Sequence, residues 1–172
     1  MDYFEIVNER HSIRAYENKP VEPEKLQQIL QAVNGAPSAG NLQAYELYLT
    51  CDEKCKSALV VAAYYQEFVA QAPLVLVFCA HADRSAIRYK ERGIDLYCVQ
   101  DATIACTFAM LAATALGLAT VWVGAFDEDE VRRVIGAPPT HRPVAMLPIG
   151  YAAESPKLRR RRSLNDLIHQ IL

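Results

Sequence analysis

Four residues near the start of the chain carry side chains that bind anions: Arg10, His11, Ser12 and Arg14. A guanidinium group can make two parallel hydrogen bonds to a phosphate, and a serine hydroxyl adds a neutral donor. The same residues would also suit a solvated helix end with surface ion pairs, which contribute little to stability. The cluster alone therefore indicates either an anion site or a polar helix end.

A second basic cluster lies near the other end of the chain, where residues 159–162 are all arginine. Such a run is more often a solvated or interacting tail than a ligand pocket. The whole chain has 18 Lys and Arg against 20 Asp and Glu, a net charge of −2, so no nucleic-acid or acidic-membrane partner is expected. Two local basic clusters in such a chain fit a phosphorylated ligand that is bound where the two termini meet.

Residues for nucleophilic or metal chemistry do not occur in recognisable patterns. Ser38 is not in a nucleophile elbow, and the four histidines show no mutual pattern, so no catalytic triad is predicted. Cys51 and Cys55 lack further ligands, which argues against zinc. The sequence also contains no P-loop and no glycine-rich Rossmann turn after the early strands. We therefore predict no metal and name no general acid or base.

Length and composition describe one globular domain. The chain has 172 residues, of which 52% are hydrophobic and 22% charged, enough for one core but not for a separate cofactor domain. We expect a single domain over residues 1–172, so a second wall of an active site could come from another subunit. The number of cysteines, five, is odd, and they are scattered along the chain, so no disulfide framework is expected. The N-terminus has no secretory pattern. Both observations favour a cytoplasmic location.

Hydrophobic spacing predicts helices that alternate with strands. The predicted helices are a short one near Tyr3, one opened by Pro20 and Pro23 and ended by Gly35, and others over residues 94–116, 128–135 and 164–172. The predicted strands are Tyr45–Thr50 and residues 73–80, 120–123 and 144–149. The apolar stretch 102–119 suits a buried helix better than a membrane span, and one small domain would not cover it completely.

The order of these segments resembles the nitroreductase family of FMN-dependent oxidoreductases. Arg10-His-Ser-Ile-Arg14 is similar to the family's Arg-x-Ser-x-Arg start, and Ala36-Pro-Ser-Ala-Gly-Asn41 with Gln43 is similar to its Pro-Ser-x-x-Asn-x-Gln loop. Residues 72–77 look like the family's core strand, the helix after Asp101 like its central helix, and residues 120–126 like its flavin-edge segment. Residues 148–151 and the closing basic run complete the order.

The resemblance implies a fold and an activity. The fold is α+β, with a central mixed, largely antiparallel sheet flanked by helices, assembled as a homodimer with FMN at the interface. The activity is transfer of hydride from NADH or NADPH through the flavin to a nitroaromatic, a quinone or a similar small acceptor, with the two substrates using the same flavin face in turn. In such an enzyme the flavin carries the chemistry, so no side-chain nucleophile is required.

The resemblance also implies cofactor-binding residues at both ends of the chain. Arg10, His11, Ser12 and Arg14 would hold the phosphate, ribityl chain and pyrimidine edge of FMN. A basic motif that grips the phosphate near the C-terminus falls at Arg159 and Arg161. A shift of one residue would move these two positions to Arg160 and Arg162.

Two further segments are implied to contact the flavin ring. Pro37, Ser38 and Asn41, with Gln43 as a further candidate, would reach it from the partner subunit. Residues 123–125, which are Val123, Gly124 and Ala125, would lie near N5, where a backbone N–H could donate a hydrogen bond. Ordinary structural alternatives stay open here, because Ser38 could cap a helix and His11 could be a surface residue.

Other functions also remain open. A flavin-fragmenting or dehalogenating member of the same family would use the same flavin-binding residues. The chain lacks the large insertions that shape substrate pockets in longer relatives, which would suit a non-catalytic FMN-binding storage or sensor protein. A basic-tailed interaction protein without a cofactor would explain the arginine run but not the Pro-Ser-Ala-Gly-Asn loop.

Overall fold

A four-stranded sheet in the order β1-β2-β4-β3 forms the middle of the molecule. The computed structural model describes residues 1–171. The strands are β1 (Tyr45–Thr50), β2 (Leu74–His81), β3 (Ala119–Thr120) and β4 (His141–Gly150). They pair antiparallel, and an isolated parallel bridge between Ser12 and Thr120 adds the mixed character. The predicted α+β class with a largely antiparallel sheet is therefore confirmed.

Helices cover both faces of this sheet. They are α1 (Tyr3–Glu9), α2 (Pro23–Asn34), α3 (Glu53–Ala62), α4 (Phe68–Gln71), α5 (Ala82–Arg92), α6 (Cys98–Ala115), α7 (Glu128–Val134) and α8 (Leu164–Leu167). Helices α2 and α6 pack on one face, where Ile29, Leu76 and Leu147 are fully buried. Helices α3 and α7 pack on the other face, around Val77 and Met146. Because both faces are covered, seven consecutive side chains of β2 are buried.

The long apolar helix has a break before it. The sequence predicts one helix from residue 94, whereas the structure has a π-helical turn at Gly93–Tyr97 followed by α6. A Cβ on Gly93 would lie 2.7 Å from the carbonyl oxygen of Ser85, so only glycine allows this close approach. By length and composition, Ala82–Ala115 could cross a membrane, but 44% of its most apolar window is buried inside the fold. Its packing against the sheet identifies α6 as a core helix.

Two predicted elements are shorter than expected. The strand predicted over 120–123 ends at Thr120, and Val123 makes only an isolated bridge to Met146. The last helix, predicted over 164–172, ends at Leu167, and Leu172 lies outside the described residues. None of the residues of α8 is buried, so no tertiary packing extends this short helix.

Candidate functional site

A cavity of about 850 Å³ gathers the two basic clusters. It is lined by residues from both ends of the chain: Val7, Asn8, Arg10, His11, Ser12, Arg14, Glu154, Lys157, Leu158, Arg159 and Arg161. The structure therefore brings together all four candidates near the start of the chain and two from the arginine run. Five of the lining side chains are Lys or Arg and one is a carboxylate, which makes the cavity a strongly cationic site.

Local structure explains why the first cluster faces the cavity. Helix α1 begins with a capping box between Asp2 and Glu5 and ends at Glu9, so residues 10–16 continue in an extended conformation. The Ile13 N–H donates to the carbonyl of Thr120 at 3.0 Å. The buried Tyr16 hydroxyl donates to the Ile13 carbonyl at 2.8 Å, and burial raises the pKa of this hydroxyl. These bonds hold the segment beside β3.

The chain termini meet through a second set of backbone bonds. The Glu17 N–H donates to the carbonyl of Tyr151 at 2.9 Å, and the Ala153 N–H donates to the carbonyl of Ala15 at 2.9 Å. The Arg14 backbone N–H donates to the carboxylate of Glu154. As a result, the chain after Ala153 returns to the first cluster and adds Glu154 and four residues of segment 157–161 to the cavity wall.

The arginine run divides between the cavity and the surface. Arg159 and Arg161 line the cavity, whereas Arg162 donates instead to the carboxylate of Asp166 at 2.6 Å. Sequence reasoning missed Lys157, which also lines the cavity. The signal was present, because Lys157 is a basic residue two positions before Arg159, the same spacing that separates Arg159 from Arg161.

His11 has a defined orientation in the cavity wall. Its Nδ1 lies 2.9 Å from the carbonyl oxygen of Glu9. Because a carbonyl only accepts, Nδ1 carries the proton of this bond, and Nε2 is left for a ligand. Arg14 is oriented from another side, with its guanidinium carbon 5.9 Å from the ring centroid of Phe68, within the range of a cation–π contact.

The small-residue loop lies elsewhere in the subunit. Asp101 on α6 is 2% exposed, and its carboxylate accepts the N–H groups of Ala39 at 2.9 Å and Ala44 at 3.3 Å. Sequence reasoning noted Asp101 but not this role. Within the loop, the Ser38 hydroxyl accepts the Gln43 N–H at 2.9 Å, so Ser38 stabilises a turn rather than a helix.

Within one subunit, the loop and the cavity are not brought together. Pro37, Ser38, Asn41 and Gln43 do not line the cationic cavity. Asn41 has a φ of 56°, in the left-handed region, and is exposed. The exposed Pro37 and Asn41 therefore take no part in the cationic cavity of their own subunit and are accessible to another molecule.

The flavin-edge candidates form a turn after β3. The Val123 N–H donates to the Met146 carbonyl at 2.9 Å, so it is already used by the sheet. Gly124 and Ala125 are exposed, and among residues 1–171 no acceptor takes their N–H groups. A Cβ at Gly124 would lie 2.9 Å from Nε1 of Trp122. The turn therefore offers the N–H groups of Gly124 and Ala125 to a ligand.

Comparisons with known proteins agree with this architecture. The family model described as the nitroreductase family matches residues 7–64 and 52–151. FMN reductase (NAD(P)H) from Bacillus subtilis is 32% identical over 177 residues, covering 95% of this chain and 71% of that protein. An NADH dehydrogenase from Thermus thermophilus is 31% identical over 172 residues, covering 84% of each chain.

A solved structure shares the fold along nearly the whole chain. The NADPH:FMN oxidoreductase from Vibrio harveyi, solved in complex with NAD⁺, superposes with a TM-score of 0.89 at 25% identity and covers 97% of this chain and 76% of its own. With a family model matched from residue 7 to residue 151 and a relative 32% identical over most of both sequences, this chain belongs to the nitroreductase family.

Proposed function

We propose that this chain is an FMN-dependent oxidoreductase that transfers hydride from NADH or NADPH, through the flavin, to a nitroaromatic, a quinone or a similar small acceptor. The observation that carries the proposal is the cationic cavity built from both ends of the chain. The relatives' names give independent support, since they include an FMN reductase and an NADPH:FMN oxidoreductase.

The residues of the cavity fit the phosphate end of FMN. Arg10, Arg14, Arg159 and Arg161 supply guanidinium donors, and Lys157 supplies an ammonium group. A phosphate carries up to two negative charges and accepts several charge-assisted hydrogen bonds. The volume of about 850 Å³ is within the usual range for a cofactor site. The donor set therefore suits a phosphorylated, elongated ligand better than a neutral one.

The remaining groups of the site would orient the ring. Ser12 adds a hydroxyl beside the arginines, and its bridge to Thr120 connects the cavity to the turn that carries Gly124 and Ala125. FMN supplies the hydride chemistry when it is bound. The protein contributes position and electrostatics: the free N–H of Gly124 or Ala125 would donate to N5, and the cationic cavity would neutralise the phosphate.

We propose that the active unit is a homodimer in which each flavin site uses both subunits. The loop candidates do not line the cavity of their own chain, which is expected if they complete the site of a partner subunit. Helix α1 has no buried residue, and Phe4 is 74% exposed. The C-terminal segment also leaves Leu158 at 84% and Ile171 at 99% exposed. Such apolar surface on a terminal arm favours packing against a second copy.

Subunit mixing tests the shared site. Arg14→Gln would damage the cavity, and Asn41→Gly would remove the loop side chain while keeping the left-handed backbone. Each variant alone should bind FMN weakly. A mixture should regain tight sites, because a mixed dimer pairs one intact cavity with one intact loop. Light scattering should show a dimer, and a monomer that binds FMN tightly would contradict the shared site.

Turnover tests the enzyme itself. Protein supplied with FMN should oxidise NADH or NADPH in the steady state when menadione or nitrofurazone is added as the acceptor. An Arg161→Gln variant should need more FMN for half-maximal activity but reach a similar rate when saturated, because Arg161 holds the phosphate and not the ring. Tight FMN binding with no turnover would favour the non-catalytic storage or sensor function.

We also propose a cytoplasmic location. All five cysteines are free thiols, and three of them, Cys79, Cys98 and Cys106, are buried. Free thiols persist in a reducing compartment. Fractionation of the producing cells should therefore recover the protein with the cytoplasmic markers, and recovery with periplasmic or secreted proteins would contradict this location.

A further inference from the structure

Two histidines and one glutamate meet at the end of the sheet where β4 begins. Glu46 lies on β1, His81 is the last residue of β2, and His141 is the first residue of β4. The register pairs His81 directly with His141. One ligand atom from each of the three residues lies within 4.8 Å of the other two, so three neighbouring strands place three metal-binding groups together.

We propose that Glu46, His81 and His141 bind a divalent transition-metal ion, with Zn²⁺ as the occupant that suits the ligand set. Two imidazole nitrogens and one carboxylate oxygen form a three-ligand zinc site that leaves a fourth position for water. The FMN-dependent reaction proposed above does not use these three residues. The sequence did not indicate it, because Glu46, His81 and His141 are 35 or more residues apart.

The distances fit a metal with small side-chain movements. His81 Nδ1 lies 2.9 Å from Glu46 Oε1, and the three ligand atoms all lie within 4.8 Å of one another. Ligand atoms around a tetrahedral ion with bonds of about 2.1 Å are roughly 3.4 Å from one another. The ligand atoms therefore need to shift by no more than about 1.4 Å relative to one another to reach this spacing.

A second side chain orients one of the ligands. The Tyr48 hydroxyl lies 2.6 Å from His141 Nδ1, and Tyr48 shares a strand face with Glu46 because it is two residues further along β1. Within residues 1–171, Nε2 of His141 has no hydrogen-bond partner, so this nitrogen is left to ligate. Metal-binding histidines are usually fixed in this way through their other ring nitrogen.

The ligands are accessible to a metal ion in solution. The side chains of His81 and Glu46 are 23% and 37% exposed, and His141 is also partly exposed. A metal ion can therefore reach the three side chains without local unfolding of the strands.

The site is far from the cationic cavity. Nine residue steps separate His141 from Gly150 along β4, which corresponds to about 30 Å, and the C-terminal wall of the cavity follows Gly150. A metal here would connect β1 to β2 and β4 without using a residue of the cationic cavity in the same subunit. We therefore expect metal binding to stabilise the fold.

Zinc titration of the FMN-loaded, chelator-treated protein tests the proposal. We expect one Zn²⁺ per chain by competition with a chromogenic chelator, and a Tm that rises by several degrees when free Zn²⁺ is at least ~100-fold above Kd. His81→Asn, His141→Asn and Glu46→Gln should each weaken Zn²⁺ binding at least tenfold. Tyr48→Phe should weaken it by about 10- to 100-fold while leaving the ligands intact.

Matched controls use the other candidate zinc ligands. His169→Asn and the Cys51→Ser, Cys55→Ser double variant should leave the zinc stoichiometry and affinity unchanged, because these residues lie outside the cluster. The far-UV circular dichroism spectrum of the metal-free protein reports the folding of each ligand variant. Zinc bound equally well by the folded ligand variants, or no saturable binding up to ~100 µM, would overturn the proposal. X-ray absorption at the zinc edge should show scattering from two imidazole ligands. A spectrum without imidazole scattering would also overturn the proposal.

Discussion

The neighbouring arginines at 160 and 161 allow a sharp test of the cationic cavity. Arg161 lines the cavity and Arg160 does not. Arg160→Gln and Arg161→Gln remove the same charge from adjacent positions, so both change the net charge of the chain equally. If the cavity binds a phosphate by direct hydrogen bonds, only the second substitution should matter strongly.

The expected magnitude follows from the position of Arg161 in the cavity wall. A hydrogen bond that involves a charged group contributes about 1.5–3 kcal/mol. Arg161 is exposed in the free subunit, so the lower part of that range applies because solvent screens the interaction. About 1.5–2 kcal/mol corresponds to a Kd for FMN that is roughly 10- to 30-fold higher. Four other cations remain in the cavity, so binding should weaken without being abolished.

The assay is quenching of flavin fluorescence during titration with protein. Riboflavin, which lacks the phosphate, serves as the second ligand. Arg161→Gln should raise the Kd for FMN and leave the Kd for riboflavin within about twofold, whereas Arg160→Gln should change neither by more than about twofold. Equal losses in the two variants would show that only long-range charge matters. Equal losses for FMN and riboflavin in Arg161→Gln would refute the assignment of the cavity to the phosphate.

Three further predictions follow from side chains away from the cavity. Asp101→Asn should lower the free energy of unfolding by about 2–3 kcal/mol in urea titrations, because a buried carboxylate that accepts two backbone N–H groups is replaced by an amide; an unchanged midpoint would contradict this. Since the pKa of His141 is lowered in the folded protein, the metal-free protein should lose stability as the pH falls through 6.5, where the unfolded chain binds the proton first. His141→Asn should flatten that part of the stability profile, and an unaltered slope would exclude His141 as its source. A thiol reagent should label the exposed Cys51 quickly. Burial raises the pKa of Cys79 to about 12, and Cys106 is also buried, so these two thiols should react only on unfolding. Equal labelling rates in the native protein would contradict this burial.

The central part of the fold could be predicted because single segments specify it. The apolar run of β2 is buried on both faces, and α2 begins at Pro23 and ends before Gly35, as the sequence indicated. Helices α3, α4 and α5 were not predicted, and α5 is mostly polar and exposed, so it has few apolar residues that mark a buried face. The predicted strand 120–123 is too long because Val121 and Val123 are buried as in a strand, whereas only Val123 pairs with β4, through an isolated bridge to Met146.

The lining of the cationic cavity could be predicted where one short segment supplies several of its residues. The basic cluster at residues 10–14 does line a cavity with Arg159 and Arg161. The role of Asp101 depends on two amides more than 50 residues away, and the pairing of His81 with His141 depends on strand register. Such contacts join residues far apart in sequence, so no local pattern reports them.

The most direct test of the central claim is an anaerobic absorbance spectrum of the FMN-loaded protein, recorded before and after addition of NADH and then NADPH. An FMN-dependent oxidoreductase predicts that at least one nicotinamide removes the oxidised-flavin band, and that a quinone added afterwards restores it. Bound FMN that stays oxidised with both nicotinamides would contradict the proposed activity.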